Sequence, residues 1–256
     1  MTLLHIENLT HYFGGLRAVQ DFNLELQPGE LVAIIGPNGA GKTTVFNLIT
    51  GVYRPTQGKI VYKGHNLVGR PTHETISRGI ARTFQNIRLF KELSVLDNVR
   101  IAHYTGIRYK PWEALLRLPR FLHEESRIRR EALELLDIFG LADLADATSK
   151  NLPYGQQRRL EITRALATQP SLLLLDEPAA GMNPAEMERL METILWLRKE
   201  FQLTILLIEH QMRVVMGIAE RIKVLDFGET IAEGTPQEIQ NNPRVIEAYL
   251  GEEVAA

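Results

Sequence analysis

The sequence predicts an α/β fold whose core is interrupted by a long helical insertion. Two continuous apolar runs, residues 31–35 and 172–175, and the largely apolar segment 203–208 have the composition of strands that are buried on both faces. Segments with helical character lie near them, at residues 44–50 and 187–201. Residues 86–169 are rich in helical patterns and poor in strand patterns. We therefore expect a helical subdomain inserted into an α/β core.

The composition is that of a globular chain and excludes several kinds of site. The chain has 256 residues, 45% hydrophobic and 23% charged, which is enough to bury a sizeable core. It contains no cysteine, so disulfides and Cys-ligated metals are excluded. A net charge of −2 gives no reason to expect nucleic acid as a partner. The start resembles no signal peptide, and no window approaches about 18 consecutive apolar residues, so we expect another chain to supply any membrane spans.

The remaining elements complete the predicted organisation. Residues 22–26 alternate between apolar and polar and predict a half-buried strand. One helical face is predicted before Gly140, formed by Ile128, Ala132, Leu135, Leu136 and Phe139. A short strand is expected at residues 59–62 and a hairpin at residues 222–226 and 230–233. The predicted division is an α/β core at residues 1–85 and 170–235, a helical subdomain at 86–169 and a helical tail at 236–256.

A glycine-rich loop stands between the first buried strand and a predicted helix. The loop and helix start read Gly36, Pro37, Asn38, Gly39, Ala40, Gly41, Lys42, Thr43 and Thr44. The glycines let the backbone curl so that N–H groups point at anionic oxygens, and the helix adds its positive end. In this P-loop spacing, Lys42 reaches the β- and γ-phosphates and the Thr43 hydroxyl binds Mg²⁺. The strand and helix context favours ATP binding and hydrolysis over a chance glycine-rich turn.

An acidic pair ends the second buried run. A buried strand delivers Asp176 and Glu177 to the edge of the sheet, beside the phosphates. There Asp176 can help hold Mg²⁺ and Glu177 can deprotonate the attacking water. Taken alone, the pair could equally be a solvated strand end, because acidic residues are mostly exposed. The glycine-rich loop favours the catalytic interpretation.

Further motifs occur in a definite order around this pair. The segment from Leu152 to Arg159 reads LPYGQQRR, with Gly155 placed 21 residues before Asp176. Gln85 lies between the loop and the helical region, and His210 follows Glu177 by 33 residues. In motif order and over essentially its whole length, the chain resembles the ATP-binding cassette (ABC) ATPases. The resemblance implies a P-loop NTPase core with an antiparallel β subdomain and an inserted α-helical subdomain.

The resemblance also implies roles for these residues. Two chains would stack head to tail around two ATP molecules, and Gly155 and Gln156 of one chain would cover the ATP on the other. Glu177 is similar to the general base of the family and His210 to its γ-phosphate contact. Gln85 would sense Mg²⁺ and the attacking water.

Two neighbouring residues are alternative candidates for the contact with adenine. Phe13, just before two glycines, resembles the aromatic residue that stacks on adenine, and Tyr12 is its rival. Phe13 could also belong to the core.

Two departures from the family pattern affect the expected composite site. Pro153 and Tyr154 stand where the family carries Ser and Gly, so no serine hydroxyl can reach the γ-phosphate. Gly155 keeps its N–H, and proline is tolerated at a helix start. Asn183 stands where many relatives carry Asp, in the loop expected to cross between the two chains.

The amino-acid sequences of several segments resemble those of the ATPases of branched-chain amino-acid importers. These segments are residues 177–184, 207–212, 234–239 and 248–252, together with the insertion at about 104–125. That branch implies integral membrane permease subunits, a second ATPase subunit (identical or paralogous) and, indirectly, a periplasmic or extracellular solute-binding protein. It also implies a cytoplasmic location, peripheral on the inner face of the cell membrane.

Several alternatives remain open from the residues alone. Related ATPases that serve urea or lipopolysaccharide look similar. A soluble ABC ATPase acting on DNA or the ribosome is disfavoured by the short insertion and the single P-loop, and a non-catalytic module is disfavoured by the intact site residues. A candidate surface for docking the permease is formed by Ile87, Leu89, Phe90 and Lys91, with core packing as the alternative for its apolar members.

Overall fold

The computed structural model describes residues 2–107 and 109–255, and these divide into two compact units. One unit contains the described residues up to Arg82 and from Ser171 onward, and the other is Thr83–Pro170. Within the described ranges, no helix combines the length and apolar character that a membrane crossing requires.

The strands and helices account for most of the described chain. The strands are β1 (Leu4–Phe13), β2 (Leu16–Leu26), β3 (Leu31–Ile35), β4 (Gln57–Tyr62), β5 (His65–Asn66), β6 (Ile80–Arg82), β7 (Leu172–Asp176), β8 (Thr204–Ile208), β9 (Arg221–Asp226) and β10 (Glu229–Gly234). The helices are α1 (Lys42–Ile49), α2 (Thr72–Ser77), α3 (Val95–His103), α4 (Pro111–Leu115), α5 (Pro119–Ile138), α6 (Tyr154–Leu166), α7 (Pro184–Glu200), α8 (Met212–Ile218), α9 (Pro236–Gln240) and α10 (Pro243–Ala255). The predicted α/β class is confirmed.

A six-stranded sheet, in the order β10-β9-β3-β8-β7-β6, organises the first unit. Its strands pair in parallel except for the β9–β10 hairpin. Every residue of β3, β7 and β8 is buried, as their largely apolar sequences predict. In the register of the sheet, Ile208 lies opposite Ile34 on one side and Asp176 on the other. The ends of these three strands therefore reach one edge at the same level.

A four-stranded antiparallel sheet, in the order β2-β1-β4-β5, packs in the same unit and confirms the expected β subdomain. The alternating pattern at residues 22–26 belongs to the longer strand β2. Irregularities in the pairing of β1 lie between Ile6 and Leu9 and again up to Tyr12. These shifts break the two-residue period, so periodicity alone does not indicate β1.

The core of the first unit lies between the two sheets and includes α1. Alternate residues of the six-stranded sheet face this core, among them Val32, Ile34, Leu172, Leu174, Leu206 and Ile208. They meet apolar side chains of the four-stranded sheet and of α1, including Phe22 and Phe46. Burying both faces of the central strands fixes their register, because a one-residue slip would exchange the two faces.

Two helices begin earlier than the sequence predicts. Helix α1 begins at Lys42 instead of Thr44, because Gly41 is its N-cap and the P-loop residues that follow are already helical. Helix α7 begins at Pro184 instead of Met187. The Asn183 side chain caps it and the Glu186 side chain caps Asn183 in return, with both distances near 3 Å (3.0 and 2.9 Å). Asn183 therefore serves as a helix cap.

The second unit is built from α3, α4, α5 and α6. Helix α5 buries Ile128, Ala132, Leu135 and Leu136, four members of the predicted helical face, and the fifth, Phe139, is buried just after the helix ends. Pro119 occupies its first turn, where proline is tolerated. Gly140 adopts a φ of 62° just after the helix, and its N–H donates to the Asp137 carbonyl at 2.9 Å.

A buried ion pair connects α6 to the start of this unit. Arg158 and Glu161 are both almost fully buried, and their side chains meet at 2.8 Å. Glu161 also accepts hydrogen bonds from the backbone N–H groups of Phe84 and Arg88, both at 3.3 Å. Arg158 donates to the Phe84 carbonyl. The pair therefore replaces water as the partner of several backbone groups.

We predict that Glu161→Gln destabilises the fold. Removing one charge leaves the Arg158 guanidinium buried without its counter-ion, which costs about 3–5 kcal/mol in the free energy of unfolding. Urea unfolding measures this loss. The matched control is Glu134→Gln, whose carboxylate forms an exposed pair with Arg130 at 3.9 Å and which we expect to cost less than about 1 kcal/mol. Equal stability of the two variants would contradict a structural role for the buried pair.

Candidate nucleotide-binding site

The glycine-rich loop connects the end of β3 to the start of α1. Gly36, Gly39 and Gly41 have φ values of 148°, 78° and 97°, a region that favours glycine. A Cβ atom on Gly36 would lie 1.9 Å from the Leu225 carbonyl oxygen, and one on Gly41 would lie 2.4 Å from that of Ala18. Two of the motif's glycines are therefore required by close backbone contacts as well as by conformation.

The Lys42 ammonium is held inside the loop. Its side chain is buried, and Nζ donates to the carbonyl oxygens of Gly36 and Pro37, both at 2.7 Å. Thr43 and Thr44 follow in the first turn of α1, where Thr43 is exposed and no side chain caps the helix. A cation, an uncapped helix N-terminus and a tightly curled glycine loop together form a site that fits phosphate groups.

Asp176 lies at the end of β7, where Arg82 pairs with it and Asn47 in turn holds Arg82, two residues that sequence reasoning missed. Its Oδ2 atom is 2.8 Å from Nη2 of Arg82, the last residue of the neighbouring strand β6. The other guanidinium nitrogen of Arg82 donates to the Asn47 side chain on α1, at 2.7 Å. No local pattern marks Arg82 or Asn47, because only the sheet and α1 bring them to Asp176.

Glu177 and His210 meet at the same edge of the sheet. His210 Nδ1 lies 3.7 Å from Glu177 Oε2, with the carboxylate mostly buried and the imidazole about half exposed. Glu177 has a φ of 48°, unusual for a residue with a side chain, and its N–H donates to the Ile208 carbonyl at 2.9 Å. Backbone strain of this kind often occurs at functional sites. A mostly buried carboxylate beside an imidazole is suited to accept a proton from water.

Glu209 is a second acidic residue that the sequence analysis missed. It is fully buried, and its carboxylate accepts from the N–H groups of Ala179 at 2.7 Å, His210 at 3.0 Å and Gln211 at 3.2 Å. Burial raises the pKa of Glu209, and the three backbone hydrogen bonds oppose this shift. Glu209 thus ties the loop after Glu177 to the backbone of His210. In the sequence it looks like any exposed acidic residue at a strand end.

The two candidates for adenine stacking lie at the end of β1. The Phe13 ring packs edge-on against His11 at 4.6 Å and against Tyr53 at 5.2 Å, between ring centroids. Tyr12 is exposed, and strand alternation places it on the opposite face of β1. Phe13 is also exposed, so it is not part of the buried core. The choice between the two rings stays a prediction.

The second unit carries the other predicted site residues, which are described here by themselves. Gln85 is exposed, and its carbonyl accepts from Arg158 at 3.5 Å. Gly155 and Gln156 lie in the first turn of α6, which begins after Pro153 without a side-chain cap. That helix start therefore presents backbone N–H groups, as an anion contact requires.

The candidate docking surface is also in the second unit. Ile87 and Leu89 are half-buried, while Phe90 and Lys91 are exposed. None of the three apolar members is fully buried, and the Arg164 guanidinium lies 5.7 Å from the centre of the Phe90 ring. Core packing alone does not account for this group.

Comparisons with known proteins agree with the geometry. The family model described as "ABC transporter" matches residues 19–180, and a second, "Branched-chain amino acid ATP-binding cassette transporter", matches residues 229–255. The chain is 49% identical over 98% of both sequences to the high-affinity branched-chain amino acid transport ATP-binding protein LivG of Escherichia coli K12. It is 45% identical, with the same coverage, to the corresponding protein BraF of Pseudomonas aeruginosa.

A comparison with solved structures supports the same family. The crystal structure of the ADP conformation of MJ1267, an ATP-binding cassette of an ABC transporter, superposes with a TM-score of 0.85. The identity is 31%, and the match covers 98% of this chain and 99% of that one. The resemblance drawn from the sequence motifs is confirmed, and the chain belongs to the ATP-binding cassette (ABC) transporter family.

Proposed function

We propose that this protein is the ATP-hydrolysing subunit of a membrane importer for branched-chain amino acids. The observation that carries the proposal is the shared sheet edge, where the glycine-rich loop, Asp176 and the Glu177–His210 pair follow strands in one register. Similarity to LivG over almost the whole of both chains supports the transport role and the class of cargo.

ATP binds with its phosphates in the glycine-rich loop. Backbone N–H groups from Gly36 to Thr43 and the start of α1 receive the anionic oxygens, and Lys42 exchanges its carbonyl partners for the β- and γ-phosphates. The Thr43 hydroxyl and the Asp176 carboxylate are the residues that would hold Mg²⁺, with Gln85 as a third candidate. Mg²⁺ supplies positive charge that neutralises the developing charge on the phosphates.

Hydrolysis transfers the γ-phosphoryl group to water. Glu177 accepts a proton from the attacking water while the oxygen of that water bonds to the γ-phosphorus. The bond between the γ-phosphorus and the β–γ bridging oxygen breaks in the same reaction. The products are ADP and inorganic phosphate. His210 contacts the γ-phosphate, and its position depends on the hydrogen bond from its N–H to Glu209. Gln85 orients the water.

The site is completed by a second ATPase chain, identical or paralogous. The first turn of α6 in that chain, at Gly155 and Gln156, covers the γ-phosphate with the Gly155 N–H and the positive end of the helix, since the Gln156 N–H donates to the Pro153 carbonyl at 3.0 Å. Since Pro153 offers neither a hydroxyl nor an N–H, this contact depends on the backbone alone. ATP then favours the closed pair because it binds that state more tightly.

The partners follow from the importer role. Closing and reopening of the ATPase pair acts on integral membrane permease subunits, which receive cargo from a solute-binding protein. The residues Ile87, Leu89, Phe90 and Lys91 are the proposed docking surface on this chain. The protein accordingly works as a peripheral subunit on the inner face of the cell membrane.

We predict that Glu177→Gln lowers kcat for ATP hydrolysis by about 10²–10⁴-fold, because the amide cannot accept the proton. Equilibrium binding of ATP should persist, since the glycine-rich loop is unchanged. The control is Glu192→Gln, an exposed carboxylate on α7. Turnover by Glu177→Gln equal to that of the control would remove Glu177 from the role of general base.

We predict that Phe13→Ala raises the Kd for ATP by about tenfold, because base stacking on an aromatic ring contributes about 1–3 kcal/mol. Binding of inorganic triphosphate, which has no base, should not change. Tyr12→Ala is the matched comparison. If Tyr12→Ala weakens ATP binding and Phe13→Ala does not, Tyr12 is the stacking residue.

We predict that the tagged chain purified from membranes brings down integral membrane subunits. Vesicles reconstituted with the purified complex should take up labelled leucine in an ATP-dependent manner and should not take up urea. Recovery of ribosomes or DNA without an integral membrane protein would contradict the transport role. Uptake of urea but not leucine would overturn the assignment of the cargo.

A further inference from the structure

An exposed group of large apolar side chains lies on the second unit, at the junction of α4 and α5. We call it the apolar corner, and it consists of Trp112, Leu115, Leu116, Leu118 and Leu122. Leu115 is 83% exposed, Leu116 65% and Trp112 54%. Single exposed leucines are ordinary, but five large apolar residues within 11 positions indicate an interaction site.

The backbone of the corner is well structured. The Glu113 carboxylate accepts the Lys110 N–H at the start of α4, and the Glu113 carbonyl accepts the Leu118 N–H at 2.9 Å. Arg117 turns the chain between the helices with a φ of 49°. These contacts hold the exposed apolar side chains on an ordered turn.

Two aromatic rings anchor the corner to the rest of its unit. Phe121 packs edge-on against Tyr109, with ring centroids 5.0 Å apart. The Tyr109 hydroxyl donates to Glu125 at 2.8 Å, and Arg100 of α3 pairs with the same carboxylate at 2.7 Å. The inward-facing side chains of this segment therefore already have packing and hydrogen-bond partners within the unit. The side chains of the apolar corner are the ones that stay exposed.

The exposed charged side chains around the corner are basic, whereas the acidic ones, Glu113, Glu124 and Glu125, are partly buried and paired with arginines. Lys110, Arg117 and Arg120 are all exposed. The only acidic residue between positions 104 and 123 is Glu113, which is half-buried and used at the start of α4. The Lys110 ammonium lies 4.7 Å from the centre of the Trp112 ring. The corner thus combines apolar side chains with an exposed basic rim.

We propose that the apolar corner inserts into the interfacial layer of an anionic lipid bilayer. Its apolar side chains would enter the boundary between headgroups and acyl chains, and its basic rim would contact phospholipid phosphates. Trp112 has the amphipathic ring that favours this layer. A helix that docks in a partner's groove presents one continuous apolar stripe, whereas these residues lie on the short helix α4, the turn after it and the first turn of α5.

This contact goes beyond the proposed function. An ATPase subunit requires only its permease to reach the membrane, whereas the corner gives this chain an affinity for lipid of its own. Such an affinity does not depend on ATP hydrolysis, so the lipid contact and the proposed ATPase function can be tested, and can fail, independently.

Sedimentation of the full-length chain with lipid vesicles tests the proposal. We expect binding to vesicles of phosphatidylcholine mixed with phosphatidylglycerol, and weaker binding to phosphatidylcholine alone. The double variant Leu115→Gln with Leu116→Gln should bind the mixed vesicles about tenfold less tightly or worse, because the buried apolar area provides much of the attraction. Its ATPase activity and circular dichroism should match those of the wild type, which excludes misfolding.

The matched control is Leu195→Gln with Trp196→Gln on α7, a second pair of adjacent exposed apolar residues. It should bind vesicles as the wild type does. The proposal is overturned if the wild type does not bind the mixed vesicles, or if the corner variant binds them equally well. If only recovery of the permease falls in the corner variant, the corner contacts protein instead of lipid, and the proposal is equally wrong.

Discussion

The register of β3, β8 and β7 is the constraint on which the rest of the site depends. Because Ile208 lies opposite both Ile34 and Asp176, three parallel strands end together at one edge of the sheet. The glycine-rich loop follows the first of these strands, the acidic pair ends the third, and His210 follows the middle one. Packing on both faces is what holds this register, since a slip by one residue would move each side chain to the opposite face, where its close-packed neighbours are different.

Buried polar contacts refine what the register brings together. Arg82 fixes the orientation of Asp176, and Glu209 holds the loop after Glu177 against the backbone of His210. Both are charged groups with little or no contact with water, so their hydrogen bonds are needed to offset the cost of burial. The same logic applies in the second unit, where Arg158 and Glu161 organise the backbone that begins at Phe84. The reacting groups are few, and a larger set of buried residues determines where they lie.

The exposed features of the chain point outward to partners. The start of α6 offers backbone N–H groups without a side-chain cap, as expected of a helix that contacts phosphate on another chain. Phe90 and Lys91 are exposed in the proposed docking surface, and the apolar corner presents a basic, apolar face. Surfaces of this kind are what a subunit that acts on partner chains requires.

The sequence by itself determined the buried strands, the glycine-rich loop, the acidic pair and the family, because these depend on residues that are adjacent or regularly spaced along the chain. Local geometry explains why Gly36 and Gly41 must be glycine, but the carbonyls that exclude a side chain there come from Ala18 and Leu225, which are distant in sequence. The tertiary structure alone decided the roles of Arg82, Asn47 and Glu209. It also decided that the leucines between α4 and α5 stay exposed, because a short apolar run has the same composition in a core as on a surface, and only packing distinguishes the two.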